Sequence, residues 1–287
     1  MIGIARSPQE AVMLATATCA LVLFALSGLM RWGHFDRRWY DLLIPLGFFL
    51  SYWLTYNRLP SFPPVGAVNK VFYLAAAGAI LGLAVEWAGS RALGLLLLAA
   101  MPVASAAYIG DKILLTQPFG LIAAALVVVA VLYALHHEAQ LDDGGSNLRP
   151  AVMLAVASAG FAPIAFMGAS SSSLQLALGV AFGIAGIMFW QLLRPDYRFG
   201  WASLLGGAGG MMAVAQTVAL ITRKIDLLAL TVLLLVFLVP GACRGIIDHF
   251  GQKNRALASL VFAGLCLLPA AAAVAVMLAR NGFSLPQ

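Results

Sequence analysis

Apolar residues run in long blocks through almost the whole chain, separated by short polar or proline-containing stretches. Because about 20 apolar residues in a helix cross the hydrocarbon core of a bilayer, each block predicts one transmembrane helix. The blocks cover residues 10–31, 40–56, 70–88, 91–109, 112–136, 149–169, 173–193, 200–222, 226–247 and 256–280. The sequence therefore predicts an all-α polytopic membrane protein of about ten transmembrane helices. The second block is the shortest, and the fourth and fifth are divided only by IGDKI.

The longest polar connection is HHEAQLDDGGSNLRP, which runs from His136 to Pro150 at the midpoint of the chain. Its acidic residues, paired glycines and terminal proline are typical of a linker between helices. We therefore divide the chain into a first five-helix half (1–140), a polar linker (141–150) and a second five-helix half (151–287).

Several features recur in the same order in the two halves: the stretch AVMLA, a small-xxx-small spacing in the third helix and a proline in the fourth. The residues concerned are Ala11 and Ala151, Gly78 with Gly82 and Gly206 with Gly210, and Pro102 and Pro240. An odd number of helices per half would turn the second copy upside down, as in the inverted repeats of transporters. The alternative is coincidence, because glycine and proline are common in membrane helices.

In length, helix number and this arrangement of halves, the chain resembles the drug/metabolite transporter group, whose members have ten short-looped helices in two inverted five-helix halves. The resemblance implies a carrier of small molecules. It rests on no sequence motif, so it transfers no functional residue to a position of this chain. The Lys and Arg distribution predicts outside termini, whereas those of that group are usually cytoplasmic.

Composition excludes a soluble protein. Hydrophobic residues make up 62% of the chain, charged residues 10%, and the mean hydropathy is +0.96. The net charge of +6 comes from Lys and Arg near helix ends, where anionic lipid accounts for them, so nucleic acid is not an expected partner. Cys19, Cys243 and Cys266 have no C-x-x-C spacing and are interpreted as small core residues.

Few strongly polar residues lie deep in the predicted helices. Because such side chains are costly in hydrocarbon, each is a candidate for substrate binding. Gln216 lies about two-thirds through the eighth block and Glu86 near the end of the third. The structural alternatives are an interhelical hydrogen bond for Gln216 and an interfacial position, beside Trp87, for Glu86.

Pro102, Pro240 and Arg244 complete the predicted substrate-binding set. Each proline removes a helical hydrogen bond and frees a carbonyl, so paired breaks would indicate a site near the membrane midplane, although single prolines in membrane helices are ordinary. Arg244 could contact an anion at a pore mouth, or pair with Asp248 one helical turn later.

Two loops carry further signals. The segment from His136 to Asp143 holds five residues of metal-ligating types, but their spacing fits no metal-site template, so no metal is expected. No haem, flavin or retinal signature occurs, and no cofactor is expected. The loop from Asn57 to Lys70 contains Pro60, Pro63 and Pro64, which predict an extended course, either as a lid or as a stiff connector.

These patterns favour a small secondary transporter or permease-like protein that moves a small metabolite or ion between the two halves. The alternative is a non-catalytic subunit or assembly factor of a larger membrane complex. An enzyme is not expected, because no catalytic constellation is present. The expected partners are the lipid bilayer and an unidentified small-molecule substrate, with other membrane subunits or a homodimer as alternatives. Short loops favour a multi-pass protein of the bacterial cytoplasmic (inner) membrane.

Overall fold

A computed structural model describes residues 7–64, 66–111, 113, 116–141, 148–193, 197–222, 225–245 and 255–281. Within these ranges the chain is helical, and they contain no strand. The helices are α1 (Pro8–Trp32), α2 (Arg37–Tyr40), α3 (Leu43–Tyr56), α4 (Ala67–Ala88), α5 (Arg91–Ile109), α6 (Pro118–Gln140), α7 (Arg149–Met167), α8 (Ser171–Leu193), α9 (Ser203–Thr222), α10 (Leu227–Ala242) and α11 (Arg255–Asn281).

The prediction of a helical membrane protein is confirmed, and each apolar block contains one helix of at least 14 residues. Eight described helices are long and apolar enough to cross a membrane, namely α1, α4 to α9 and α11. The other two are shorter. With 14 residues, α3 is about 21 Å long, against about 30 Å for the hydrocarbon core of a typical bilayer.

Local sequence determines where several helices begin and end. Gly89 ends α4 in the left-handed conformation, with φ of 61°, which glycine adopts without steric cost. The next residue, Ser90, starts α5 by accepting a hydrogen bond from the Leu93 N–H at 3.3 Å. At the fifth block the predicted start of residue 112 differs from the structure, because α6 begins at Pro118, a residue favoured in the first helical turn.

The two halves of the chain interleave. Helix α1 runs parallel to α8, where Trp190 donates its indole N–H to the carbonyl oxygen of Phe24 at 3.0 Å. Helix α3 also packs on α8, and Ser51 donates to the carbonyl oxygen of Leu176 at 2.9 Å. The α1–α8 pairing has no extensive counterpart between α7 and α3 in the described part of the chain. The halves therefore do not stand side by side as separate bodies.

The glycine spacings noted in the sequence belong to one contact, between α4 and α9. A methyl group at Gly78 would overlap the backbone of α9, and one at Gly82 would overlap the backbone of Trp201 and Ala202 just before it. One at Gly206 would lie 2.7 Å from the Cα atom of Ala79. At Gly210 it would lie 2.8 Å from the Cβ atom of Ala75. Small residues thus bring the two backbones together, as is common in membrane helices.

Polar contacts mark the two ends of the bundle. We call one the Asp41 end, where Asp41 meets Ser203 at the start of α9. The other is the Lys70 end, where Lys70 at the start of α4 forms an ion pair of 2.8 Å with Asp111 after α5. Lys70 is 7% exposed and also donates to the carbonyl oxygen of Tyr108 at 2.7 Å, so its buried ammonium group has compensating acceptors.

Candidate intramembrane binding cavity

A cavity of about 470 Å³ lies between α6, α7, α9 and α10, and therefore between helices of both halves. Its wall consists mainly of alanine, leucine, valine, methionine and phenylalanine side chains. The polar residues in the wall are Gln117, Ser158, Gln216 and Thr231, and none of the described lining residues is charged. A cavity of this size and character suits a small, mostly apolar molecule with a few hydrogen-bonding groups.

Gln216 lines this cavity and is 3% exposed. Its Oε1 atom accepts a hydrogen bond of 2.6 Å from the Ser105 hydroxyl group of α5. Its Nε2 atom lies 3.5 Å from the carbonyl oxygens of Pro102 and Ala124, at the long limit for a hydrogen bond. Gln216 thus makes the interhelical hydrogen bond that the sequence offered as the alternative to substrate binding. Its long donor contacts leave its N–H groups weakly satisfied.

Ser158 in α7 also lines the cavity, and sequence reasoning did not single it out. It is 1% exposed, and its hydroxyl group has no hydrogen-bond partner among the described residues. Buried hydroxyl groups normally have a partner, because an unpaired one loses its hydration without compensation. A serine between alanines in an apolar helix carries no sequence signal that would distinguish it.

Pro102 is buried in α5 beside Gln216. Its missing N–H removes the usual helical partner of the Leu98 carbonyl group. The structure therefore brings Pro102 and Gln216 together, and adds Ser105, which the sequence gave no reason to select.

Pro240 and Arg244 lie elsewhere. Pro240 is in the first turn of the final segment of α10, Val239–Ala242, where a proline costs no helical hydrogen bond. A 3₁₀ segment, Leu235–Leu238, precedes it. Arg244 is exposed beyond the end of α10, and the ion pair considered with Asp248 falls outside the described residues. Neither Pro240 nor Arg244 is among the residues that line the cavity.

A second polar cluster lies at the Asp41 end, and it was not predicted. The buried Asp41 carboxylate accepts hydrogen bonds from the N–H groups of Gly200 at 2.7 Å, Ala202 at 2.7 Å and Ser203 at 3.0 Å. These N–H groups begin α9 and would otherwise lack partners. A side chain from the first half of the chain thus caps a helix of the second.

Burial raises the pKa of Asp41 to about 6, while the hydrogen bonds from Ser203, Gly200 and Ala202 oppose the shift. Asp41 lies in the turn before α3, outside the eight helices that meet the criteria for crossing a membrane. It therefore titrates closer to neutral pH than an ordinary aspartate.

Glu86 belongs to this second cluster and not to the cavity. Its Oε1 atom accepts a hydrogen bond of 3.2 Å from the N–H group of Trp201. A methyl group at Gly200 would lie 2.5 Å from Glu86 Oε1 and 2.6 Å from Asp41 Oδ2, so both carboxylates crowd the start of α9. Glu86, which lies near the end of α4, therefore helps to cap the start of α9.

The segment considered for metal binding is only partly described. His136 is buried, and its ring centroid lies 4.5 Å from that of Trp201 with the planes tilted by 30°, while Glu138 pairs with Arg149 at 3.2 Å. Asp142 and Asp143 lie outside the described residues. In the described part of the chain, no three His, Cys, Asp or Glu side chains are grouped so that they could hold a metal ion.

Comparison with known proteins returned no match to a protein family, to a curated protein or to a solved structure.

Proposed function

We propose that this protein is a small membrane transporter, and that its substrate is an uncharged, largely apolar molecule that binds in the cavity between α6, α7, α9 and α10. The observation that carries the proposal is the unpartnered Ser158 hydroxyl group in a cavity wall that also holds Gln216. A bound molecule with a hydrogen-bond acceptor would pair with the weakly satisfied N–H groups of Gln216, and a change of the Ser158 side-chain rotamer would bring its buried hydroxyl group to the same molecule. The proposal involves no covalent step.

The position of the cavity supports transport. Its lining begins at Gln117 and Leu227, where α6 and α10 start, so it reaches the Lys70 end. Towards the Asp41 end the interior is closed by tightly packed side chains. Those at 0% or 1% exposure include Leu132, Leu135, Met153, Leu154 and Leu204. A cavity that reaches one end of the bundle and is separated from the other by packed side chains fits one of the two states that alternating access requires.

Irregular helical segments supply places where the seal could open. Helix α9 has π-helical turns at Ser203–Ala208 and Val218–Thr222, on either side of the segment that holds Gln216. Helix α10 changes to 3₁₀ geometry at Leu235–Leu238. Such departures from regular α-helix often mark hinges and functional sites in proteins. We propose that α9 and α10 move relative to α6 and α7, because the interleaved packing of α1, α3 and α8 opposes rocking of whole halves.

The proposal treats α3 and α10 as membrane crossings as well, which gives ten crossings in two halves. The contact between α4 and α9 joins the third helix of each half through similarly placed glycines, which favours inverted repeats, whereas the α1–α8 pairing lacks an extensive α7–α3 counterpart among the described residues. We place the protein in the bacterial cytoplasmic membrane, because its short loops and Lys and Arg distribution suit that membrane.

Two-sided accessibility of the cavity tests the proposal. Ala215→Cys places a partly exposed thiol in the cavity wall, in a background in which Cys19, Cys243 and Cys266 are replaced by alanine. A charged, membrane-impermeant methanethiosulfonate is then applied to one side of oriented vesicles at a time. We expect modification from both sides, at different rates. The matched control is Ala130→Cys on the exposed face of α6, which should react from neither side.

Modification of Ala215→Cys from only one side would contradict alternating access. The cavity would then be a static cleft, as expected for a non-catalytic subunit of a larger complex, the alternative function. That alternative also predicts that the protein co-purifies with fixed partner proteins, whereas the transporter should remain competent for two-sided modification when it is pure.

A further inference from the structure

A groove between α1, α3 and the loop that follows α3 runs along α3 towards the Lys70 end and is separate from the cavity described above. It consists of adjoining spaces of about 400 Å³ and 250 Å³, which share Tyr52, Arg58 and Leu59 in their walls. The described linings of this groove and of the transport cavity have no residue in common. An inference about the groove therefore does not rest on the proposed transport.

The larger space is apolar. Its wall includes Val22 and Leu26 of α1, Leu46, Phe49 and Trp53 of α3, and Phe72 of α4. It follows α3 from Leu46 to Trp53, a distance of about 10 Å at 1.5 Å per residue. This shape and lining fit one hydrocarbon chain lying along α3.

The smaller space has more polar residues in its wall and lies at the end of the groove nearest the Lys70 end. Asn69 accepts a hydrogen bond of 3.2 Å from the Tyr52 hydroxyl group and donates one of 2.6 Å to the Ser61 hydroxyl oxygen. The donor capacity of the Ser61 hydroxyl group is not used by that bond. Arg58 and Tyr56 complete this part of the wall.

Arg58 supplies the charge. It is exposed, it lines both spaces, and it makes no ion pair with another described residue. Pro60 follows it in the wall, and with Pro63 and Pro64 this fixes much of the loop backbone, as expected for a stiff connector. The loop thus places Arg58 at the mouth of an apolar groove, where a membrane headgroup would lie.

We propose that the groove binds an anionic phospholipid of the surrounding bilayer. One acyl chain lies along α3 between Val22, Leu46 and Phe49, and the headgroup phosphate accepts hydrogen bonds from Arg58 and Ser61. Arginine binds phosphate through paired, charge-assisted hydrogen bonds. A lipid with a net negative charge is favoured over a zwitterionic one, because Arg58 adds positive charge and the described residues of the groove wall include no acid that would pair with it or attract a choline.

Native mass spectrometry of the full-length protein tests this. Delipidated protein in an uncharged detergent is titrated with phosphatidylglycerol or phosphatidylcholine that carry the same acyl chains. We expect one phosphatidylglycerol molecule to bind at least tenfold more tightly than phosphatidylcholine. Arg58→Gln should abolish this preference and Arg58→Lys should retain part of it, whereas Arg38→Gln, on an exposed arginine outside the groove, should leave it unchanged.

Two further measurements distinguish the contribution of the acyl chain to binding from that of the phosphate. Leu46→Trp fills the apolar space and should weaken binding of phosphatidylglycerol without lowering the thermal stability of the lipid-free protein, because Leu46 is half-exposed. Soluble glycerol phosphate should not displace the lipid. Equal binding of the two lipids, unchanged binding to Arg58→Gln, or displacement by glycerol phosphate at the lipid's own concentration would each overturn the proposal.

Discussion

Gly78 in α4 lies directly against the carbonyl group of Leu205 in α9, with no room between the two backbones for a side chain. This contact joins the two halves of the chain at the centre of the bundle. Its tightness makes Gly78 a sensitive position, because a methyl group there must push α4 and α9 apart.

Gly78→Ala should therefore lower the free energy of unfolding by about 1–3 kcal/mol, the usual cost of overpacking a close contact. Thermal unfolding in detergent, followed by tryptophan fluorescence, measures this. The control is Gly264→Ala in α11, where an added methyl group meets no atom within 4 Å. Equal stability of the two variants would show that α4 and α9 do not meet at Gly78.

The hydrogen bond between Ser105 and Gln216 should couple α5 to α9. In a double-mutant cycle of Ser105→Ala and Gln216→Ala, we expect a coupling energy of about 0.5–1.5 kcal/mol, the range for interhelical bonds in membrane proteins. Reversible unfolding in mixed detergent micelles provides the four stabilities. Strict additivity of the single substitutions would contradict the 2.6 Å bond.

Removal of the Asp41 cap should destabilise the start of α9. Asp41→Ala leaves three N–H groups without their acceptor, so we expect a loss of about 1–3 kcal/mol in the free energy of unfolding. Asp36→Ala is the matched control, because Asp36 precedes α2 but makes no side-chain capping bond. Hydrogen exchange should show faster opening near residue 203 in Asp41→Ala alone.

The raised pKa of Asp41 predicts a pH dependence of stability. The pKa of Asp41 is about 6 in the folded protein, and the ordinary aspartate pKa of 3.8 applies to the unfolded chain. Because the folded state binds this proton more tightly, low pH favours folding. This contribution is fully present below pH 3.8 and is lost as the pH rises through about 6. In melting experiments between pH 4 and pH 7.5, the melting temperature of Asp41→Asn should lack the part of the fall with rising pH that Asp41 causes in the wild-type protein. Parallel pH profiles of the two proteins would contradict the assignment.

The sequence alone located the long helices because hydrocarbon forces each crossing to be a continuous apolar block. It also marked Gly78, Gly82, Gly206 and Gly210 as sites of close approach. What the spacing could not reveal was that these glycines face one another across the two halves. A small-xxx-small pattern defines one helix face and not its partner.

Part of the candidate site was also visible in the sequence. Gln216 is a polar residue deep in an apolar block and Pro102 interrupts another, so both attracted attention, and the structure places them together. Glu86 drew attention for the same reason, yet it caps α9 beside Asp41. A polar residue in a membrane helix signals that some partner exists, without indicating whether that partner is a substrate or a backbone group.

The sequence by itself determined that the chain is a helical membrane protein, and approximately where its helices run, because these follow from the local balance of apolar and polar residues. Only the tertiary structure decided which residues meet: Ser158 and Gln216 in one cavity, Arg58 and the apolar face of α3 in one groove, and Asp41 with the start of α9. Such contacts depend on how helices distant in sequence pack, and nearly uniform apolar surfaces carry little information about their partners.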